Sequence, residues 1–162
     1  SWQQRPDSKG YVRIRSADPF EAPIIQPNYL AEESDRRVLL QGMKLARRLF
    51  QTKPLEPYYD YEDFPGPKVQ SDDELLGAAK ARGTTTFHPG GSCKMGPVTD
   101  PLAVVDDQLR VHGLEGLRVV DASIMPTMLS ANLNAATLMI GAKAADMILG
   151  RPPLEPVVVA ES

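Results

Sequence analysis

Hydrophobic and polar positions change period several times along the chain, and each change marks an element. In "GYVRIRS" (10–16) Val12 and Ile14 alternate with Arg13 and Arg15. A period of two predicts a strand with one wet face. "DPFEAPIIQPNYL" (18–30) is broken by prolines and predicts extended chain with a short strand at Ile24-Ile25. From 35 to about 51 the period lengthens to that of a helix. Leu39, Met43, Ala46 and Phe50 fall on one stripe, and Arg36, Arg37, Lys44, Arg47 and Arg48 lie off it. Ser34 is the expected N-cap. "PLEPYYDYEDFPGPKV" (54–69) has no period and predicts an irregular loop, aromatic and acidic. Ser71 with Glu74 forms the pattern of a capping box and predicts a second helix from 72 to about 82, stopped at Gly83.

The last third is more apolar. "LRVVDASIMP" (117–126) predicts a strand buried on both faces. "ANLNAATLMIGAKAADMILG" (131–150) predicts a final helix, apolar almost all round, ended by Gly150 and Pro152-Pro153. Residues 154–162 are expected to form a loose end. A helix of that kind needs cover on most sides, and a strand of that kind needs a sheet around it. The earlier segments do not supply enough apolar surface for both. The residues therefore imply that the chain packs against much more protein.

Composition changes this picture little. The 162 residues suffice for a core, and 42% hydrophobic with 24% charged residues is the balance of a globular protein. A net charge of -3 gives no reason to expect nucleic acid or an anionic membrane. No apolar run reaches the length of a membrane span, so membrane association is not indicated, and a cytoplasmic location is the expectation. The start "SWQQRPDSKG" has no apolar signal region and no initiator Met, so Ser1 need not be a natural beginning. A single cysteine excludes an internal disulfide. Fifteen prolines argue for many connections and few long helices.

Candidate chemistry gathers in "FHPGGSCKMG" (87–96) and "SANLNAATLMI" (130–140). Zinc would need three or four ligands, but His88 and Cys93 are five apart and His112 has no partner motif, so no metal is expected. Cys93 lacks the setting of a nucleophile beyond the nearness of His88. "GGSCKMG" lacks the spacing of a phosphate loop. His88, standing before a proline, reads either as a turn residue with a satisfied hydrogen bond or as a catalytic base. Asn132 and Asn134 flank the start of the apolar helix. N-capping accounts for one of them and leaves the other over.

"RPDSKGYVRIRSADP", "FHPGGSCKMG", "LRVVDASIMP" and "NLNAATLMIGAKAADMI" together, in this order and spacing, resemble the C-terminal part of the glucose-methanol-choline oxidoreductase family, in particular its choline-dehydrogenase-like alcohol dehydrogenases and oxidases. The likeness runs from about residue 5 to 150. It implies the C-terminal part of a two-domain FAD enzyme of mixed α+β and α/β character. Residues 1–85 would belong to the substrate domain, an antiparallel sheet with helices. Residues 86–150 would carry the active-site loops and the closing strand and helix of the FAD domain, and 151–162 would be a tail. The active site would lie between the two domains.

By position, the resemblance implies that His88 and Asn132 are the catalytic pair. It places Asp121, Ala122, Asn132, Leu133 and Asn134 at the FAD, and Phe87 at the substrate pocket. The implied cofactor is FAD. The implied partners are an N-terminal FAD-binding chain or segment, a small-molecule alcohol, and oxygen or another electron acceptor. The implied reaction is oxidation of a primary alcohol to an aldehyde by loss of the hydroxyl proton and hydride transfer to the flavin. Its alternatives are lyase or decarboxylase chemistry on the same scaffold, or a fragment inactive without its N-terminal partner. The family's Gly-rich dinucleotide turn has no counterpart in the sequence.

Overall fold

Local sequence decides most of the elements in residues 1–87, the first of two compact units into which the chain divides; the second is 88–162. The structure is a computed structural model that describes residues 2–155 and 157. Most of the expected loose tail, at 156 and 158–162, lies outside the described residues.

In the first unit, β1 (Tyr11–Arg13) pairs antiparallel with β2 (Ile24–Gln26), with Val12 opposite Ile25. The expected strand over 10–16 is thus cut to three residues. Ile14 has no partner beyond Arg13 and is 87% exposed, so its alternation has no packed face to serve.

Helix α1 (Glu33–Phe50) starts earlier than its pattern suggests, and Ser34 does not cap it. The Ser34 hydroxyl donates to the Asp7 carboxylate instead. Asp35 holds the helix start. Its buried carboxylate accepts the amides of Asp7 and Ser8, while the Ser8 hydroxyl accepts the amide of Glu32. Helix α2 (Asp72–Arg82) has the expected capping box: Ser71 accepts the Glu74 amide, and the Glu74 carboxylate accepts the Ser71 amide. The C-cap is Gly83.

α1 and α2 pack together, with Leu75 wholly buried and Lys44 paired to Asp72. The loop between them carries a short 3-10 turn (Glu56–Tyr58). Arg47, off the apolar stripe, secures that loop. Its guanidinium forks onto the Glu62 carboxylate at 2.7–3.0 Å and also reaches the Gly66 carbonyl.

The second unit is organised around one core of Val105, Leu109, Ile124, Met125, Leu133, Ile140 and Ala144. The expected strand over 117–126 does not form. Arg118 bridges Arg110, the Val119 amide donates to Leu109, and the chain then turns into a 3-10 helix at Ala122–Ile124. The reason is one-sided pairing. Residues 122–124 offer their carbonyls to a neighbouring segment, but Asp121 caps the turn locally by accepting the Ser123 amide at 2.7 Å. An apolar run of this length is ambiguous by pattern alone.

Helix α3 runs over Asn134–Ile148, inside the expected 131–150, and Gly150 follows with a left-handed φ of +65°. Its buried stripe is Ile140 and Ala144. Leu138, Met139, Ile148 and Leu149 are more than half exposed, and burying each would stabilise by roughly 1.5–3 kcal/mol. No helix among the described residues is long and apolar enough to cross a membrane.

Candidate active site

The loop that follows His88 is fixed by its own backbone. The amides of Gly91, Cys93 and Met95 donate in turn to the carbonyls of Ala122, Ser123 and Ile124, at 3.2, 2.9 and 2.7 Å. Alternate residues of 91–95 thus face three successive carbonyls. Gly91 has a φ of +81°, a conformation that costs a residue with a side chain on the order of 1–2 kcal/mol. A side chain at Gly91 would also come 3.1 Å from the Met125 carbonyl. The loop therefore runs flush along the Asp121–Met125 segment.

The same loop reaches the start of α3. A Cβ placed on Gly90 would stand 3.5 Å from Leu133 Cδ1 and 3.3 Å from the Met128 sulfur. Gly90 is two residues from His88, and Leu133 adjoins Asn132. The two halves of the sequence candidate thus meet at Gly90 and Leu133 within one unit. Leu133 is 3% exposed and forms the floor of this contact.

His88, Asn132, Asn134 and Asp121 are all exposed, and Ala122 is half-buried. The imidazole of His88 has no hydrogen-bond partner among the described residues, so the turn-residue reading finds no bond to support it. Neither asparagine caps α3: the N-cap is Leu133, with no side-chain bond to the helix. The first bond made inside the helix runs from the Thr137 amide to the Leu133 carbonyl. The amides of Asn134, Ala135 and Ala136 are therefore left at an uncapped helix start. No acidic residue stands in that first turn, so the positive end of the helix is uncompensated. Phe87 belongs to the first unit; it is 79% exposed and its φ is +58°.

This donor set suits a flavin. A flavin ring presents oxygen and nitrogen acceptors along its pyrimidine edge. An uncapped row of amides beside two asparagines, with no acidic residue in the first turn of the helix, offers donors of the matching kind. The Asp121 carboxylate is committed to the Ser123 amide through one oxygen and keeps the other.

Sequence reasoning singled out side chains as candidates and missed the backbone bonds that hold their segments. The bonds from 91, 93 and 95 are made by backbone and leave no mark in composition. The one available signal was the Gly90-Gly91 pair, since adjacent glycines mark a close approach of two chain segments.

Comparison with known proteins shows the family and the fold. The family model described as GMC oxidoreductase matches residues 6–141. The oxygen-dependent choline dehydrogenase of Staphylococcus aureus (strain JH9) is 47% identical over 151 residues, 93% of this chain and 26% of that protein. Among solved structures, pyridoxine 4-oxidase from Mesorbium loti superposes with a TM-score of 0.81 at 34% identity, over 93% of this chain and 29% of that one. A fungal aryl-alcohol oxidase gives a TM-score of 0.74 at 32% identity, over 91% and 24%. An FAD-dependent oxidoreductase from Chaetomium thermophilum gives 0.83 at 27% identity, over 91% and 26%.

The fold is that of the C-terminal part of a flavin-dependent oxidoreductase. The chain belongs to the GMC oxidoreductase family. It spans about a quarter of the length of the curated relatives it matches.

Proposed function

We propose that this chain supplies the His88/Asn132 half of an active site that oxidises a primary alcohol to an aldehyde with FAD. The rest of the enzyme, including most of the FAD site, would come from an N-terminal segment. The observation that carries the reading is the close approach of Gly90 to Leu133, which brings the segment bearing an unpartnered imidazole to the uncapped start of an apolar helix. The relatives lend support, since choline, pyridoxine and aryl alcohols each present a primary hydroxyl. The two compact units support a division into the end of a substrate domain and a return into an FAD domain.

The alcohol must lose a proton from oxygen and a hydride from carbon. The imidazole of His88 takes the hydroxyl proton, work suited to a side chain whose ordinary pKa lies near neutrality. The carboxamide of Asn132 cannot take a proton there. It donates a hydrogen bond to the substrate oxygen and holds it as negative charge grows. When bound, the flavin of FAD accepts the hydride from carbon. Asp121, Ala122, Asn132, Leu133 and Asn134 would hold that cofactor, and the first amides of α3 would offer it hydrogen-bond donors. Phe87 contributes an aromatic wall for the substrate. The apolar body of α3 keeps water away and strengthens each of these interactions. Oxygen or another electron acceptor would be the second substrate.

The test is anaerobic flavin reduction by a primary alcohol in the full-length enzyme and its His88→Ala variant. Loss of a general base should slow the reduction by about 10²-fold or more. A variant that is reduced at the wild-type rate would remove His88 from the chemistry. Failure of every alcohol to reduce the bound flavin of the wild type would point to lyase-type chemistry.

A further inference from the structure

We propose that His112, the second histidine, is a positioning residue for the site, holding the loop that carries His88 through the carbonyl of Gly96. This rests on the reading of His88 as the base. The Nε2 atom of His112 lies 3.0 Å from the Gly96 carbonyl oxygen, which can only accept, so Nε2 carries a proton and donates. His112 is half-buried, and its own amide donates to the Val104 carbonyl at 3.0 Å. The residue is therefore fixed at two points.

Gly96 is the far end of the loop that begins at His88. On its other side the backbone runs close to Ala103 and Val105. A Cβ there would be 3.0 Å from Ala103 Cβ, and its amide donates to Val105 at 3.0 Å. Met95 bridges Val105, which in turn bridges Val111, so His112 stands directly beyond a layer that includes the loop. The loop is held along its length by Ala122, Ser123 and Ile124 and at its end by the imidazole of His112. Without that bond Gly96 keeps its amide bond to Val105, but the loop end beside the Met95 to Ile124 bond loosens, and the position of His88 shifts with it.

The bond has a distinctive chemical property. Nε2 donates both in the neutral tautomer that carries its proton there and in the imidazolium, so the clamp survives protonation. The charged groups lining the surface cavity beside His112 are Asp106, Arg110, Glu115 and Arg118. Asp106 and Arg110 pair with each other, and the Nε of Arg118 donates to the Gln108 carbonyl. Neither bond is made to the imidazole. His112 therefore acts on the proposed reaction through the position of the loop.

The test uses three variants of the full-length, FAD-loaded enzyme: His112→Gln, whose amide nitrogen reaches as far as Nε2, His112→Asn, whose does not, and His112→Leu, which has no donor. Limiting flavin-reduction rate, KM and the pH profile are read for each, with His88→Ala as reference. Misplacing a catalytic group by a fraction of an ångström should lower the rate by about 10-fold in His112→Asn and His112→Leu. KM and the pH profile should stay unchanged, and His112→Gln should recover most of the rate. If His112→Leu does not fold, the Gln and Asn variants carry the comparison. Equal rates in Gln and Asn variants, or a shifted pH profile, would overturn the assignment. If His88→Ala is inactive while the His112 variants run at the wild-type rate, this inference fails and the assigned base stands. If His88→Ala runs at the wild-type rate, the assigned base itself fails.

Discussion

The Asp35 carboxylate accepts the amide of Ser8 at 2.8 Å with one oxygen and that of Asp7 at 2.9 Å with the other. An acidic side chain in the first turn of α1 thus binds a segment 27 and 28 residues upstream and is 2% exposed in doing so. Charge-assisted bonds to a buried carboxylate are among the stronger ones in a fold. Asp35→Ala should destabilise the enzyme by roughly 3 kcal/mol, because it leaves two amides without acceptors. Denaturant midpoints check the loss, and faster amide exchange at Asp7 and Ser8 checks its location.

The same contact sets an acid limit. Burial pushes the Asp35 carboxyl up, but the Ser8 hydroxyl, the amides of Asp7 and Ser8, and the charge of Arg36 together hold it below the usual carboxylate range. The folded value is therefore lower than the unfolded one. Stabilisation from Asp35 is complete above the unfolded value, about pH 4, and is lost as pH falls through the folded one. Asp35→Asn should flatten the acid side of the stability curve. An unchanged slope below about pH 4 would assign acid lability to other groups.

Arg47→Lys should not be silent despite the retained charge. A lysine cannot make the forked contact with Glu62 and at the same time reach Gly66. The expected cost is about 1–2 kcal/mol, with looser packing of the 54–69 loop. Thermal melting and limited proteolysis of that loop measure both effects.

Ser71→Ala removes the acceptor for the Glu74 amide at the start of α2. The loss should be about 1 kcal/mol, and Ser71→Asp should recover it. A Tm series of the three proteins decides the matter.

Asn132→Ala tests the oxygen-holding role. Removing one donor to a developing alkoxide should slow flavin reduction by about 10²–10³-fold, with alcohol binding less affected. Asn132→Asp should be slower still, since it sets a negative charge beside both the alkoxide and the cofactor edge. A wild-type rate in Asn132→Ala would place the oxygen elsewhere.

These examples show what the sequence could and could not reveal. The Ser71/Glu74 box was legible because its partners stand three residues apart and its chemistry is local. The stripe of α1 was legible because helical period repeats over five turns. The role of Asp35 was not, because its partners are two distant amides whose side chains carry no signal. Residues 117–126 were misread for a related reason. An apolar run looks alike whether it pairs on both edges or, as here, gives its carbonyls to one neighbour and curls into a turn. Among the candidates, His88 and Asn132 stood out by residue type, while the close approach of Gly90 to Leu133 that brings their segments together involves no polar side-chain atom.

The three bonds from Gly91, Cys93 and Met95 to Ala122, Ser123 and Ile124 have a consequence for inheritance and for engineering. The two stretches form one transplantable module. Grafting the histidine loop alone into another scaffold would bring a row of donors with nothing to receive them. Recombination between related enzymes at any point from 96 to 121 would join halves whose registers were tuned separately. Crossovers outside 88–134 should give active chimaeras far more often than crossovers within it.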